Sequence, residues 1–590
     1  MLYENTITVL YVDLSARTTR VEKRADLKAY FGGVGVAAKL FEENMKPELP
    51  PLDEQQPAVF AIGALSSIYP VMTKTAAMFV SPLTGELGES YAGGRLALAL
   101  FMAGYDAVVI TGRHSYPCYL SITGQGVEFK DARPLWGMLS EEVWRVIHDN
   151  EPLESNRSIM RIGPAGENKV AYASVNVDNF RHFGRLGLGA VLGSKNVKAI
   201  TVTGDRSIPI PPAHLKEYFK VYRSIFDKVT GTDIMKKYRG LGSAAYVIPL
   251  NDMNAFPTKN LTSGRFESAE AVSAEAFAEK NLVRKMACAG CPVDCIHIGQ
   301  FRREFKTEGY EYEAVNTNYD YELVFALGSY LGIKTTDEIL MLIDAVEETG
   351  MDAMSCGVVL GWATEAFQKG LLSTEETLVP LEFGGTENYV KAIWYLARGA
   401  NEFYSQLGRG CYYAAQVYGG QDFAMTVAKN EMSGYHTGYG ILVGSVVGAR
   451  HSHLCNGGYE LDRDCQQLTS LEMAEGLLKE EKERCMINSM IICLFSRRAY
   501  DRPTIIAAGR AVGLALDDEC LTQIGQRIFQ TKMRIRDKLG FDLKQVQIPK
   551  RFFETPGLHG VLEEKTANEI IDFYGALVAA EMKEAGNTVQ

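Results

Sequence analysis

Three closely spaced cysteines constrain the fold of this chain more than any other feature. They lie in the segment "CAGCPVDCIH" with the spacing C-x2-C-x3-C, at Cys288, Cys291 and Cys295. The eleven cysteines of the chain are odd in number and otherwise scattered, which is not the pattern of a disulfide framework. Three thiolates in one short loop predict a metal centre, and a fourth ligand has to come from elsewhere.

The spacing alone leaves two kinds of metal centre open. His297 is the nearby candidate for a zinc site, although two residues after Cys295 is close for a ligand of the same tetrahedron. A distant cysteine would instead complete an iron–sulfur cluster. The candidates are Cys485 and Cys493 in the apolar segment "CMINSMIICLF", where a cysteine is most often a small buried hydrophobe. A zinc knuckle and an iron–sulfur cluster therefore fit the spacing about equally well.

Composition narrows the class of protein. A chain of 590 residues is too long for one hydrophobic core, so several domains are expected. A net charge of -11 argues against a general nucleic-acid partner, which would require a basic face. The sequence contains neither an uninterrupted apolar run that could span a bilayer nor an N-terminal secretory signal. We expect a cytoplasmic protein with no membrane span and no nucleic-acid partner.

Strand signals and helix signals occupy different parts of the chain. Strand-like, glycine-bounded segments such as "PAVFAIGAL", "YDAVVITGR" and "VKAITVTGD" fill the first part, which opens with a strand, a turn and a second strand. The proline-rich "SIPIPPAHLKEY" breaks this pattern, and a helix is predicted to start at Pro212 or Ala213. We predict an α+β fold with a β-rich domain over residues 1–207.

The rest of the chain has the periodicity of helices. The segment "TTDEILMLIDAVEETGMD" predicts a helix with Thr336 as its cap and Gly350 after its end. "LEMAEGLLKEEKERCMINSMIICLF" and "NEIIDFYGALVAAEMKEAG" are also predicted to be helical. We expect two mostly helical domains, over residues 208–415 and 416–590.

Glycine-rich loops in the N-terminal part suggest a phosphorylated ligand. "YAGGRLALAL" and "FGRLGLGAVLGSKNVKAI" combine glycines, which let backbone N–H groups approach an anion, with arginine and lysine. Tight turns between packed elements remain the alternative. "GGVGVAAKLF" imitates a dinucleotide fingerprint, but the preceding "ADLKAYF" lacks a strand pattern, so a Rossmann fold is not predicted.

Two segments contain candidate proton-transfer groups. "EGYEYEAVN" contains Glu313, and "GARHSHLCNGGYELD" contains His451 and His453, with Asp462 downstream. Glutamate and histidine are the usual acid–base groups once burial moves their pKa towards neutrality. A solvated acidic face and a hydrogen-bonded histidine pair are the structural alternatives.

Taken in order, these segments resemble the aldehyde:ferredoxin oxidoreductase family. The similarity is strongest in "SPLTGELGESYAGGRLALALFMAGYDAVVITGR", "RIGPAGENKVAYASVN" and "GRLGLGAVLGSKNVKAI", and it continues through "CAGCPVDCIH" to Cys493. The resemblance implies a [4Fe-4S] cluster beside tungsten or molybdenum held by two pterin dithiolenes, with an optional Mg²⁺ bridging the pterin phosphates. It also implies a β-rich pterin-binding base under two helical domains.

The resemblance assigns ligands by position. It makes Cys288, Cys291, Cys295 and Cys493 the cluster ligands. The family motif D-x-x-G-L-C, which ends at this last cysteine, begins here with Asn488. The family motif D-x-x-G-L-D is matched to "SYLGIK", where Ser329 replaces the first pterin-binding aspartate. Both replacements can still accept hydrogen bonds.

The remaining site residues follow from the same resemblance. Glu313 matches the active-site glutamate, and His451 matches the active-site histidine if "GARH" is aligned with G-A-C-H, with His453 as the alternative. The chain has no E-x-x-H pair, so the inter-subunit iron of some family dimers is not expected. The residues matched to the phosphate- and pterin-binding loops are Lys74, Gly93, Gly94, Arg181, Gly184 and Arg185.

The resemblance implies an enzyme that oxidises an aldehyde to a carboxylic acid. Its electron acceptor would be ferredoxin or a ferredoxin-like electron-transfer subunit, and the chain would act as a homodimer or within a larger complex. One alternative is the catalytic subunit of a low-potential reductase, such as one acting on aromatic acyl-CoA thioesters. A zinc-stabilised structural or binding protein is the alternative of another class.

Overall fold

Strands dominate the chain up to residue 203. The computed structural model describes residues 5–151, 156–207, 210, 212–304, 311–464 and 468–588. The strands of the first part are β1 (Ile7–Asp13), β2 (Thr18–Arg24), β3 (Ala58–Ile62), β4 (Thr75–Val80), β5 (Leu87–Ala92), β6 (Ala107–Thr111), β7 (Cys118–Thr123), β8 (Gly126–Asp131), β9 (Arg157–Arg161), β10 (Val175–Val177), β11 (Arg181–Phe183) and β12 (Val197–Thr203). The helices between them are α1 (Gly33–Asn44), α2 (Leu96–Ala103), α3 (Ser140–Asn150), α4 (Pro164–Glu167) and α5 (Leu188–Ser194).

These strands form two six-stranded sheets. Their orders are β2-β1-β6-β3-β4-β5 and β11-β10-β9-β12-β7-β8. The pairs β1/β6 and β7/β12 are parallel, and the other pairs are antiparallel. The apolar faces of the two sheets share one core with α2 and α5. Every residue of β3 and β4 is buried, which explains why both strands are continuously apolar rather than alternating.

Helices dominate after residue 212. A short 3-10 turn begins at Pro212, so the first long helix starts two or three residues later than predicted. The elements up to residue 368 are α6 (Leu215–Gly231), α7 (Asp233–Leu241), α8 (Val247–Asp252), α9 (Ala274–Lys280), β13 (Leu282–Met286), β14 (Ile296–Glu304), β15 (Tyr312–Tyr319), α10 (Tyr321–Leu327), α11 (Thr336–Thr349) and α12 (Ala353–Gln368). The strands β13, β14 and β15 form an antiparallel sheet.

The last part of the chain is helical except for one small hairpin. Its elements are α13 (Thr374–Thr377), α14 (Thr386–Arg398), α15 (Glu402–Leu407), α16 (Cys411–Tyr418), β16 (Thr426–Val427), β17 (Asn430–Glu431), α17 (Tyr439–Val447), α18 (Gly458–Asp464), α19 (Ser470–Ser489), α20 (Arg502–Ala511), α21 (Asp518–Lys538) and α22 (Glu564–Thr588). The predicted α+β fold, with a β-rich N-terminal part and a mostly helical remainder, is confirmed. Within the described ranges, no helix is both long and apolar enough to cross a bilayer.

The cap of α11 differs from the prediction by one residue. The side chain of Thr335, not Thr336, accepts a hydrogen bond from the backbone N–H of Glu338, while Thr336 is a buried first-turn residue. Two adjacent threonines satisfy the sequence pattern equally, and only the extended backbone of Thr335 selects it as the cap. Gly350 ends the helix in the left-handed conformation, as predicted.

Helix α1 joins the first sheet to the C-terminal helices. It packs on β3 and β4 on one side and on α19 and α21 on the other. Residues 26–30 before it form a 3-10 turn rather than a strand. This agrees with the prediction that the segment does not begin a Rossmann fold. A Cβ on Gly33 would lie 2.3 Å from the backbone oxygen of Asn488, so this glycine allows α1 to approach the end of α19.

The segment around Cys493 is a turn and not part of the helix. The sequence predicted one helix through this cysteine, but α19 ends at Ser489 and Ile491 has a positive φ of 61°. Ile492 then forms an antiparallel bridge with Met72, and the N–H of Cys493 donates to Val71 O at 3.1 Å. The turn therefore attaches Cys493 to the N-terminal part of the molecule.

Candidate active site

The cysteine loop lies between β13 and β14, against the first glycine-rich loop. The N–H of Ala289 donates to Gly94 O at 3.0 Å. A Cβ on Gly93 would lie 2.6 Å from Cys288 Sγ, so no larger residue fits at that position. The structure thus brings two predicted cofactor-binding glycines into contact with the predicted metal ligands.

The fourth cysteine reaches the same loop. Burial raises the pKa of Cys295 to about 12, and the neighbouring Cys493 thiol contributes to the rise. Arg181 and Lys74 are close enough to oppose that shift. All four thiols of the predicted set, at 288, 291, 295 and 493, are partly exposed.

His297 is not placed as a zinc ligand beside these cysteines. Its Nε2 lies 3.2 Å from Arg239 O, and its Nδ1 lies 3.5 Å from the Tyr319 hydroxyl. Burial lowers its pKa. Within the described ranges, no group of three or more His, Cys, Asp or Glu side chains is arranged to hold a single metal ion.

A cavity of about 160 Å³ adjoins the turn at Cys493. Four of the predicted cofactor-binding residues line it together: Lys74, Gly184, Arg185 and Asn488. A Cβ on Gly184 would meet no atom within 4 Å, so the backbone there faces open space. We call this space, which Arg450 also lines, the cationic cavity.

Arg450 is the buried cation of this cavity that sequence reasoning missed. Its side chain is 5% exposed, and its Nη1 donates to Glu89 O at 2.8 Å. Burial is the largest single influence and lowers the pKa of Arg450, but the Glu89 carboxylate, the Cys455 thiol and Tyr91 together outweigh it, so the pKa is raised. Among the described residues, its Nε and Nη2 have no partner at hydrogen-bond distance, although Nε forms an ion pair with Glu89 Oε1 at 3.6 Å and the Cys455 thiol lies nearby.

The cationic cavity fits a phosphorylated anion. Three cations face it, one of them a buried guanidinium with unsatisfied N–H groups, and Gly184 leaves the backbone open to close approach. Glu89 is neutralised by Lys532, whose Nζ lies 2.5 Å from Glu89 Oε2. The cavity therefore keeps an excess of positive charge.

Ser329 does not line the cationic cavity. It is fully buried on a 3-10 turn, and its hydroxyl donates to Pro257 O at 2.8 Å. The placement of the D-x-x-G-L-D motif at "SYLGIK" therefore has no geometric support. The segment "EETGMD", from Glu347 to Asp352, has the same spacing and keeps the second aspartate.

The "EETGMD" carboxylates contact the second predicted glycine-rich loop. Glu347 Oε2 lies 2.6 Å from His182 Nε2. Asp352 Oδ2 lies 3.4 Å from Arg185 Nε, and the same carboxylate caps α12 by accepting from the N–H of Ser355. This segment differs from D-x-x-G-L-D by one conservative change at each of two positions, Glu347 for Asp and Met351 for Leu. It is therefore a second candidate for the motif, which the sequence analysis did not consider.

A second, much smaller cavity of about 20 Å³ is also lined by Arg185. We call it the histidine pocket, because both candidate histidines line it. Its other lining residues are mostly apolar or aromatic. The complete lining is Arg185, Val427, Glu431, Met432, Ser433, Tyr435, His436, Ile441, Leu442, Ser445, His451, His453 and Phe552.

The two histidines have different surroundings. His451 has a positive φ of 53°; its Nδ1 lies 3.1 Å from Val446 O, and its Nε2 lies 2.9 Å from Glu86 Oε2. His453 Nε2 lies 3.1 Å from Glu322 Oε1, and its buried Nδ1 has no hydrogen-bond partner among the described residues. His453 is therefore the histidine with a nitrogen left to act on a ligand.

Two family models match almost the whole chain. One, described as the N-terminal domain of aldehyde ferredoxin oxidoreductase, matches residues 9–204, and the other, described as domains 2 and 3, matches residues 220–577. The chain belongs to the aldehyde ferredoxin oxidoreductase family. Its members are oxidoreductases, as predicted from the sequence.

Relatives of the family show how far this member has diverged. Tungsten-containing aldehyde ferredoxin oxidoreductases of Thermococcus kodakarensis and Pyrococcus furiosus are each 31% identical over 94% of this chain and 92% of their own length. The WOR-like subunit of an aliphatic sulfonate oxidoreductase of Pyrococcus furiosus is 31% identical over 65% of this chain and 63% of its own length. The active-site complex BamBC of benzoyl-coenzyme A reductase, solved with 1,5-dienoyl-CoA, has the same fold, with a TM-score of 0.80. It is 22% identical over 97% of this chain and 94% of its own.

In this chain, Glu313 does not lie in the position expected for an active-site glutamate. Its side chain is 46% exposed on β15 and forms an ion pair with Arg303 at 2.7 Å. It lines neither the cationic cavity nor the histidine pocket. Glu322 occupies the position beside His453 instead, in the first turn of α10, where Asp320 caps the helix. The signal for Glu322 was the capping aspartate in "DYELVF", which starts a helix directly after the strand.

Proposed function

We propose that this protein is a tungsten- or molybdenum-bis-pterin, [4Fe-4S] oxidoreductase that oxidises an aldehyde to a carboxylic acid. The observation that carries the proposal is the shared position of Arg185. It lines both the cationic cavity, which fits an anionic cofactor, and the histidine pocket, which contains an acid–base pair. The named tungsten-containing relatives support the choice of metal.

Several residues would hold the cofactor. Lys74, Arg185 and Arg450 would neutralise the pterin phosphates, and Asn488 would accept or donate a hydrogen bond. Gly184 would permit close approach of the pterins, Gly93 and Gly94 would keep the first glycine-rich loop against the cysteine loop, and Arg181 would add positive charge there. The bis-pterin metal, when bound, supplies the two-electron redox chemistry.

The histidine pocket would bind the aldehyde and move its proton. When the Nε2 proton of His453 faces Glu322, Nδ1 is a free acceptor in the pocket. A proton taken up at Nδ1 creates an imidazolium, which the Glu322 carboxylate 3.1 Å away stabilises. His451, with both ring nitrogens engaged, would position the pocket wall rather than transfer the proton.

The cysteines provide the exit for electrons. In a [4Fe-4S] cluster each thiolate binds a different iron, so the four sulfurs lie further apart than around one zinc ion. We propose Cys288, Cys291, Cys295 and Cys493 as the ligands, with a ferredoxin-like protein as acceptor.

Metal analysis of anaerobically purified protein tests the cofactors. We expect tungsten or molybdenum near one and iron near four per chain. Zinc alone, without sulfide, would contradict the proposal and support the structural-protein alternative.

Paired glutamine variants test the acid–base assignment. With an aldehyde and a viologen acceptor, we expect Glu322→Gln to lower kcat by about 10²–10⁴-fold at unchanged metal content. Glu313→Gln should change kcat by less than about threefold, since an exposed ion pair contributes little. The opposite pattern would return the base role to Glu313.

A second function remains to be separated from the first, namely a low-potential reductase subunit acting on aromatic acyl-CoA thioesters. The observations in its favour are the fold shared with the BamBC complex of benzoyl-coenzyme A reductase and the lining of the histidine pocket by Tyr435, Phe552, Met432 and Leu442. Inactivity towards aldehydes, together with co-purifying iron–sulfur subunits and reduction of an aromatic acyl-CoA by a strong reductant, would establish it.

A further inference from the structure

A basic surface adjoins the cysteine loop, in a chain whose net charge is -11. Its exposed cations lie on α7, on β13 and after the turn at Cys493. They are Lys236, Lys237, Arg239, Arg284, Lys285 and Arg498. Two carboxylates of these segments form ion pairs with them: Asp233, which pairs with Lys236 at 3.6 Å, and Asp294, which pairs with Arg239 at 3.6 Å. We call this surface the basic patch.

Specific contacts join the three segments into one surface. Lys285 Nζ on β13 donates to Gly240 O on α7 at 3.2 Å. The ion pair between Arg239 and Asp294 links α7 to the residue next to Cys295. Tyr238 on α7 stacks on Phe495, two residues after Cys493, with ring centroids 4.4 Å apart. The basic patch thus spans both chain segments that carry the four cysteines.

The patch also has apolar side chains at its surface. Phe495 is 36% exposed and Val283, on β13, is 53% exposed. Exposed apolar groups among charges are typical of protein–protein contacts, in which a small apolar centre is surrounded by a polar rim. A small inorganic anion would need converging donors and no apolar centre.

We propose that the basic patch is the docking surface for an acidic, one-electron iron–sulfur carrier protein. The proposal rests on the proposed function, in which the four thiols hold a cluster. Oxidation of one aldehyde with one water yields a carboxylic acid, two protons and two electrons, so two oxidised carriers each leave with one electron. A carrier has to dock, accept its electron and depart, which favours a small interface governed by charge.

Charge complementarity predicts the kinetic behaviour of this docking. Opposite charges raise the association rate at low ionic strength, and salt removes that advantage within a Debye length of about 10 Å at 0.1 M. A small cationic acceptor such as benzyl viologen gains nothing from the patch. The two acceptors should therefore respond differently to the same substitutions.

The test compares two double variants with the same change in charge. Lys236→Glu with Arg284→Glu reverses two patch cations. Lys565→Glu with Lys583→Glu reverses two exposed cations on α22, a helix that packs on α17 and α19 instead. Binding of a purified acidic 2[4Fe-4S] ferredoxin to each holoprotein is measured at low and high salt, and viologen-coupled turnover is measured separately.

We expect the patch variant to weaken ferredoxin binding by about tenfold or more at low salt, with the difference shrinking at high salt. The α22 variant should change binding by less than about threefold, and viologen turnover should be unchanged in both. Equal weakening in both variants, or no weakening in the patch variant, overturns the proposal. If the wild type has no viologen turnover but the binding pattern holds, the aldehyde function fails and the docking surface stands.

Discussion

The two cavities that meet at Arg185 differ in how they use charge. In the cationic cavity, positive groups stay buried because acidic partners behind them compensate the cost. Arg450 and Lys532 share Glu89 in this way. The histidine pocket has a mixed apolar, aromatic and polar lining, and each of its two histidines faces a carboxylate, Glu86 for His451 and Glu322 for His453. In the proposed function, the fixed charges would hold an anion, and the pair of His453 and Glu322 would move a proton.

The largest effect is expected on the cationic side. Arg450→Met removes the buried guanidinium and leaves Glu89 with Lys532 and Tyr91 as its remaining partners. Breaking a buried charge pair costs about 3–5 kcal/mol of folding stability. We also expect the tungsten or molybdenum content of the purified protein to fall below about a tenth of the wild-type value, since the cavity loses its unsatisfied N–H groups.

The matched variant is Arg450→Lys, which keeps the charge without the guanidinium fork. It should retain intermediate metal content. Normal metal content in Arg450→Met would show that the cationic cavity does not hold the cofactor.

The next effect separates the histidine pocket from the cationic cavity. His453→Asn should lower kcat by about 10²–10³-fold while metal content stays normal, because the substitution removes the acid–base group and leaves the cationic cavity intact. His451→Asn should chiefly lower thermal stability, since both ring nitrogens of His451 contact buried acceptors. Turnover and metal analysis of the two variants check this, and the reverse ranking would support His451 as the acid–base residue.

The smallest effect concerns the pH dependence of stability that comes from Glu348. Burial raises the pKa of Glu348 on α11 to about 7, and the Asp344 and Glu141 carboxylates add to the rise. Because the folded pKa lies above the unfolded value, the folded state binds the extra proton, and stability falls as pH rises from about 4.5 to 7. Above pH 7 the full penalty, about 1–3 kcal/mol, is present.

Glu348→Gln removes this titration. We expect its melting temperature to exceed that of the wild type at pH 8 and to match it near pH 5. If the melting temperatures of variant and wild type differ by the same amount at both pH values, Glu348 stays ionised in the folded protein.

Local spacing made part of this site predictable, and distant convergence hid the rest. The cysteine loop and the glycines at 93, 94 and 184 were found because each lies within one short motif. Glu89 and Lys532 lie 443 positions apart in the sequence, and no local pattern joins them. The motif with aspartates was placed at Ser329 because a six-residue pattern with tolerant positions fits more than one segment.

The structure does not support the assignment of Glu313 as the active-site glutamate, and the reason is related. Tyr-Glu occurs three times in this region, at 310–311, 312–313 and 321–322, and the sequence alone does not show which copy faces His453. The turn of the chain from β15 into α10 decides it. The N-cap at Asp320 directs the first turn of α10, and with it Glu322, towards His453.

The pairing of Ile492 with Met72 has a consequence for how the protein matures. Cys493 joins the other three thiols only through a turn fixed to residues 71 and 72, after α19 has packed. A chain still emerging from the ribosome at residue 400 has the first three thiols and lacks the fourth. The fourth thiol is therefore synthesised late, and the set of four is complete only once the C-terminal part of the chain has joined the N-terminal part.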